Sequence, residues 1–444
     1  MMMQMKCSRI LRQKSWVKDW ATELWGKKRR GMATRRESRQ RWVALWGNGD
    51  YGRLGLASSK SVWEPTLCTS LQHTQPVAVA CGGAHTLVLT EEGRVYATGL
   101  NDWGQAGMPL TTRHSLELTE VEGLPGNVRF VHIAAGAYHS AAVSENGSVY
   151  MWGRNSQGQL GLGKRAQTKV WMAQRLEALN DLVIKMMALG SEHSLALSEE
   201  GQVLSWGASL HGRLGHGHGY NPSMFSIFRT MSEYTPRLVQ HLQNVKVYKI
   251  AAGLMHSACL DEQGVLYTFG KGRECQLGVG NDRDATKPRQ VPELPPVVEL
   301  ACGGYHTGAI SRNGQLYMWG SNEYGCLGFG CVKYPYKNQN SSLLPNHVGG
   351  GLESLILKEV SCGWKHTVAL TEDGSIFTWG WGGSQGTHSA DGYSSGGQLG
   401  LGDEFDYLEP MPVQLKGSLK ALHVSCGFNH SGALLEEQSE AGDS

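Results

Sequence analysis

The phrase Gly-x-x-His-Ser/Thr occurs seven times in this chain, with its histidine at His85, His139, His193, His256, His306, His366 and His430. The spacings are 54, 54, 63, 50, 60 and 64 residues. A repeat of this period restricts the fold severely, because a short unit cannot bury its apolar face alone and must stack on copies of itself. After six of the seven comes an acidic or amide turn ending in glycine, such as Glu92-Gly93, Asn146-Gly147, Asn313-Gly314 and Asp373-Gly374. An apolar stretch ending in an aromatic-Gly pair follows. These dipeptides between apolar runs mark hairpins, and the expected form is a type I′ turn with positive φ at both central residues.

One unit shows the pattern in full. Residues 131–135 read as a strand, Gly136 to Ser140 is the signature, 141–143 continues it, 145–147 turns, and 149–152 is a third strand. The tail Gln157-Gly158-Gln159-Leu160-Gly161 then sets one leucine between glycines, as a tight loop leading into a fourth strand would. It recurs around Leu54, Leu214, Leu277, Leu327 and Leu399, with Ala106 replacing the leucine in one copy.

Units of four short strands at this period read as propeller blades rather than as a solenoid. The ends of the chain support a ring. Trp42 to Gly55 has the third strand and tail without a preceding signature, and Val424 to Leu435 has the signature without a following third strand. Each fragment is what the other lacks. Six whole units and two complementary fragments predict an all-β, seven-bladed β-propeller, closed by pairing N- and C-terminal strands in one blade and leaving no open sheet edge. The expected organisation is a basic segment over 1–41, the propeller over 42–436 and an acidic tail over 437–444.

The H-[ST]-x-x-[LV] and W-G-x-N-x-x-G-Q-L-G pattern resembles the regulator-of-chromosome-condensation repeat, a seven-bladed propeller, over residues 42–436. Trp46-Gly47-Asn48-Gly49-Asp50-Tyr51-Gly52, Cys81-Gly82-Gly83-Ala84-His85-Thr86 and Gly363-Trp364-Lys365-His366-Thr367 look most like plant members grouped with the UV-B photoreceptor and guanine-nucleotide exchange factors. Such folds host many activities, so function has to be argued from sites.

Charge is distributed unevenly. Residues 1–41 hold 13 Lys and Arg against three acids, Asp19, Glu23 and Glu37, whereas the whole chain of 444 residues carries only +2, so the body is net acidic. A uniformly basic nucleic-acid surface is therefore not expected of the propeller. Trp16, Val17, Trp20 and Leu24 recur at helical steps between Lys14, Lys18 and Lys27, the build of an organelle transit peptide. A mitochondrial address is expected. Lys27-Lys28-Arg29-Arg30 keeps a nuclear signal open, the segment could also be a basic tail on nucleic acid, and chloroplast and cytosol are the remaining locations. No apolar run reaches about 18 residues, so no transmembrane insertion is expected. The ten cysteines include no C-x-x-C pair, and Cys81, Cys302, Cys362 and Cys426 share one repeat position, which reads as packing in a reducing compartment without structural disulfides.

The seven histidines, one per blade, are read as structural, each ring nitrogen tied to a neighbouring loop or strand; spread around a ring, they are too far apart to share a metal. His216 and His218 lie closer together but lack a third ligand. Gly47-Asn48-Gly49-Asp50-Tyr51-Gly52 matches G-x-G-x-x-G without a following helix pattern, so it reads as a turn and not a nucleotide cradle. Gly161-Leu162-Gly163-Lys164 fails as a P-loop. No G-x-S-x-G, no H-E-x-x-H and no carboxylate pair stands outside the repeat turns, so the expectation is a protein that is not an enzyme, without cofactor, metal or catalytic residues.

Three functional readings remain: an interaction scaffold, an exchange factor for a small GTPase, and a UV-B photoreceptor. The resemblance implies that light sensing needs clustered tryptophans carried by repeated G-W-R-H-T motifs. Here only Trp364 lies at that place, with Lys365 for the arginine, while Gly83, Ala137, Ser191, Leu254, Gly304 and Phe428 hold the equivalent positions. That demotes the sensor. Insertions at 219–235, 331–350 and 383–396 keep the exchange factor in play, since a family member reaches its GTPase with a projecting strand pair. Residues that the repeat does not demand are the ones left to meet a partner, so Tyr220, Phe225, Phe228, Arg229 and Trp364 are the candidate contacts. The expected partners are proteins, a small GTPase among them, or an RNA-associated complex; organelle members of the family point to a scaffold for RNA processing or ribosome assembly.

Overall fold

The computed structural model describes residues 39–217, 232–330, 341–383 and 396–438. Tyr220, Phe225, Phe228, Arg229, the N-terminal segment up to residue 38 and the tail from residue 439 lie outside these described residues. Among the described residues, 28 strands form seven antiparallel sheets of four.

The His139 blade is representative. Its strands, from the axis outward, are Phe130–Ala135, His139–Ser144, Val149–Arg154 and Lys169–Arg175. The second strand is buried at every residue, because both of its faces meet neighbouring blades, so its small Ser and Ala side chains suit close sheet packing. The fourth strand faces solvent along much of its length. Gly153, next to last in the third strand, has φ 105°, and a Cβ there would lie 2.6 Å from the Tyr138 carbonyl oxygen, so no larger residue fits this approach.

Hairpins form where the Asn-Gly and Asp-Gly signals lie, but not as type I′ turns. Only the glycine takes positive φ, as at Gly147 (82°), and its N–H bonds Ser144 O at 2.9 Å. The loop is therefore three residues, Glu145-Asn146-Gly147, which leaves a bulge at the glycine. Asn146 instead bonds Ser144 Oγ at 2.6 Å and the Ser148 N–H at 3.2 Å.

Adjacent blades are joined by tryptophan. Trp46, Trp152, Trp206, Trp319 and Trp379 are fully buried, and each donates its indole N–H to a tail carbonyl of the preceding blade at 2.8–3.0 Å. The acceptors are Gln398, Gln105, Gln159, Gln276 and Cys326. Each ring thus buries a large apolar area while its one polar atom is satisfied. The tail leucines Leu54, Leu160, Leu214, Leu277, Leu327 and Leu399 are buried as well.

The first two strands, Arg41–Gly47 and Val62–Leu67, share a sheet with the last two, Leu419–Cys426 and His430–Glu437. Pairing runs without a break from Arg41 opposite Glu436 to Gly47 opposite His430. In every blade the loops joining first to second and third to fourth strands emerge on one side of the ring, termed the loop face. The second-to-third hairpins and the links to the next blade emerge on the other, the hairpin face.

Candidate partner-docking face

The signature residues form a closed circuit under the loop face. Each histidine Nε2 lies 2.8–3.1 Å from the hydroxyl that follows the next histidine, from His85 to Ser140 around to His430 and Thr86. Each hydroxyl in turn donates its single proton to a tail carbonyl at 2.7–2.9 Å. With that proton committed, the hydroxyl can only accept, so every Nε2 carries hydrogen and every Nδ1 is bare. The seven Nδ1 atoms are buried without partners, which a charged ring could not tolerate. Burial accordingly pulls His85, His139, His256 and His366 down to about 3 and His306 to about 4, with His193 and His430 also well below the ordinary value. The signature glycine leaves room for this ring: a Cβ on Gly82 would lie 2.4 Å from His85 Cε1.

Other sequence motifs also resolve into packing. A Cβ on Gly49 would meet Lys60 O at 2.0 Å, and buried Arg53 donates to Asp50 O, so Gly47 to Gly52 is a filled turn with no room for phosphate. His216 Nε2 lies 3.1 Å from Ser205 Oγ, and His218 lies outside the described residues. Among the described residues no three His, Cys, Asp or Glu side chains group as metal ligands. Burial raises the thiols, Cys68 and Cys426 to about 12 and Cys81, Cys302 and Cys362 further, which makes them unreactive.

The axis is narrow. A cavity of about 90 Å³ is lined by signature glycines of all seven blades, with Leu254, Trp364 and Phe428 at its loop-face mouth. Deeper in, where Ala78 and Met186 occupy two blades, the equivalent positions hold His132, Lys249, Glu299, Glu359 and His423. Lys249 pairs with Glu299, and His423 Nδ1 lies 2.6 Å from a Glu359 oxygen. Burial disfavours both charges of the second pair, yet each is held by the other: His423 is raised and Glu359 lowered. Nothing in the linear pattern marks this belt, because only the ring brings one residue per blade together.

Trp364 stands on the loop face in an assembly larger than the sequence indicated. Lys365 Nζ lies 4.0 Å from the Tyr324 ring centroid, 4.7 Å from Trp364 and 4.9 Å from Trp381, and Phe428 is 6.0 Å from Trp364. Trp381 was missed. Its signal was a departure from the repeat: the residue after the aromatic-Gly pair is aromatic here, where Arg154 and Lys271 hold other blades. A second assembly runs outward from the channel mouth. Arg154 lies over Tyr138 (5.7 Å) and Trp103 (4.9 Å), and Lys169 over Trp103 (4.6 Å) and Trp171 (5.8 Å). The described ends flanking 218–231, 331–340 and 384–395 all belong to third-to-fourth-strand connections, so these ends lie on this face.

Residues 42–433 match the model of the RCC1-like domain. The chain belongs to the RCC1-like domain family. This RCC1-like propeller is similar to the ultraviolet-B receptor UVR8 of Arabidopsis thaliana, 33% identical over 375 residues that span 84% of this chain and 77% of UVR8. It is also similar to RUG3 of the same plant, a mitochondrial RCC1 domain-containing protein, at 31% identity over 284 residues, 62% of this chain and 61% of RUG3. Among solved structures, Prp20p of Saccharomyces cerevisiae superposes with a TM-score of 0.77 at 26% identity, covering 91% of this chain and 93% of Prp20p. The family and the seven-bladed fold read from the repeat are thus those of its relatives.

Proposed function

We propose that this RCC1-like propeller is a non-enzymatic scaffold that docks a protein partner through its loop face, in support of RNA processing or ribosome assembly in an organelle. One observation carries the reading: the departures from the repeat gather on one side. The Trp364 assembly, the Trp103 assembly and the flanks of all three insertions share the loop face, whereas the hairpin face carries the second-to-third-strand turns and the links between blades. Aromatic and Arg side chains dominate interface energetics, and the strands themselves leave few to offer. Tyr220, Phe225, Phe228, Arg229 and Trp364 are the proposed contacts.

In this reading 1–41 is the address, 42–436 the working domain and 437–444 a tail. The basic amphipathic pattern and the mitochondrial RUG3 support mitochondrion over nucleus. A fluorescent fusion of residues 1–45 should enter mitochondria; nuclear or cytosolic fluorescence refutes the address. For docking, the test is Phe225, Phe228 and Arg229 replaced together by Ala. Unchanged melting with lost recovery of co-purifying proteins supports the contact role, and unchanged recovery removes the insertion from the site.

A second reading, nucleotide exchange on a small GTPase, is favoured by one specific likeness, since the Prp20p structure was described with binding to Gsp1p and histones. Faster release of labelled GDP from a co-purified GTPase distinguishes it from a plain scaffold. The UV-B reading is not carried forward, because Trp364 alone occupies the signature tryptophan place and Lys365 stands for the arginine.

A further inference from the structure

We infer that the sector of the loop face spanning the His85 and His139 blades binds single-stranded RNA along the row Tyr138, Arg154, Trp103, Lys169 and Trp171. The row alternates aromatic and cation at every step, with ring-to-cation distances of 4.6–5.8 Å. It starts at Tyr138, next to Ala137 of the axial cavity's lining, and ends on the outermost strand, where Trp171 lies. Beside it, Lys164 lies 6.0 Å over Tyr234, and Arg165 is exposed.

Charge separates this sector from the rest of a net acidic body. The carboxylates that flank the row are engaged, Asp102 with Arg113 at 3.3 Å and Glu192 of the next blade with Arg154 at 3.5 Å. Lys164, Arg165 and Lys169 have no ion-pair partner among the described residues. The hairpin face leans to the opposite sign: Glu91, Glu92, Glu145, Glu199, Glu200, Glu372 and Asp373 are exposed at its tips against the exposed Arg312, and Glu262 there is paired with Lys246. A polyanion is repelled there and drawn to the loop face.

The chemistry favours a nucleic acid strand over an acidic protein segment. Cations alone would serve either, but half-buried tryptophan and tyrosine rings interleaved with them offer π-faces, which unpaired bases stack on and carboxylates do not use. A duplex hides its bases from such rings. The choice of RNA over DNA rests on the scaffold reading above; the stacking and charge arguments do not.

The test uses the full chain and a labelled single-stranded RNA of about 16 nucleotides, read by fluorescence anisotropy. Lys164→Glu, Arg165→Glu and Lys169→Glu together should weaken binding by more than about tenfold and reduce the slope of log K against log salt by about 2. Binding equal to the native chain overturns the inference, as does equal competition by polyglutamate, which would mark an acidic-protein surface instead. The native chain supplies an arm independent of variant folding: 4-thiouridine RNA should crosslink within residues 102–175, and crosslinks confined to residues 1–41 refute the site. Lost RNA binding with intact partner recovery leaves the protein-docking reading standing, and the converse leaves this one.

Discussion

His430 Nε2 lies 2.9 Å from Thr86 Oγ1, a contact between residues 344 positions apart that closes the circuit of seven histidines. Thr86 also donates to Arg53 O at 2.7 Å, so one hydroxyl links the last signature to the first tail. Replacing Thr86 with Val keeps the shape and strands both partners in a dry interior. Each such group costs about 1–3 kcal/mol. Thr86→Val should therefore lose about 2–5 kcal/mol in chemical denaturation, and Thr86→Ser, which keeps the hydroxyl, much less. Equal losses in the two variants would show that the methyl group matters and the circuit does not.

Acid should unfold this protein through the same rings. Five of them have folded values at about 3 or 4, and His193 and His430 are also held well below the ordinary 6.5, so the unfolded chain takes up protons first as pH falls. The stability they contribute is full above about 6.5 and is lost toward 4, at up to about 1.4 kcal/mol per pH unit for each ring. With seven such histidines the total rivals the whole stability of a domain. A denaturation midpoint at pH 5 matching that at pH 7 would contradict this account.

Ring closure carries a separate expectation. Arg41–Gly47 covers the edge of His430–Glu437, and Leu54 is buried in the next contact inward. A chain beginning at Leu56 exposes that edge and should melt well below the full-length protein or fail to fold cooperatively. A chain beginning at Gln40 should melt with the full-length protein. Similar melting of the two truncations would mean that the last blade holds without its N-terminal strand.

The legibility of the sequence followed the physics of the repeat. Gly82, His85 and Thr86 are required by one local geometry used in every blade, so they recur and can be read. Even the turn glycines were legible, although Gly147 works in a three-residue loop and not a type I′ turn. Trp103, Arg154 and Lys169 meet only because adjacent blades and a fourth strand converge, and no spacing along the chain encodes that. Trp381 was visible only as an irregularity. The axial belt was invisible for a stricter reason: Lys249, Glu299, Glu359 and His423 sit on separate blades, and their pairing by opposite sign has meaning only once the blades stand side by side.

That belt supports the last prediction. Glu359 accepts from His423 at 2.6 Å and from the Val424 N–H at 3.3 Å, while His423 Nε2 reaches Val79 O at 3.0 Å. Burial works against the imidazolium, and so does the charge of Lys249, but the facing carboxylate outweighs them and raises His423 above its ordinary value. A raised value means stability that is fully present below about 6.5 and lost as pH rises through the folded value. The partner's lowered value means a contribution complete above about 4.5. The pair should therefore matter most between these limits. Glu359→Gln should cost about 1.5–3 kcal/mol at pH 6, and the gap from the native protein should narrow toward pH 8.5 as the rising pH draws the proton from His423. A gap that is the same at the two pH values would make Glu359 a neutral hydrogen-bond acceptor and dissolve the ion pair.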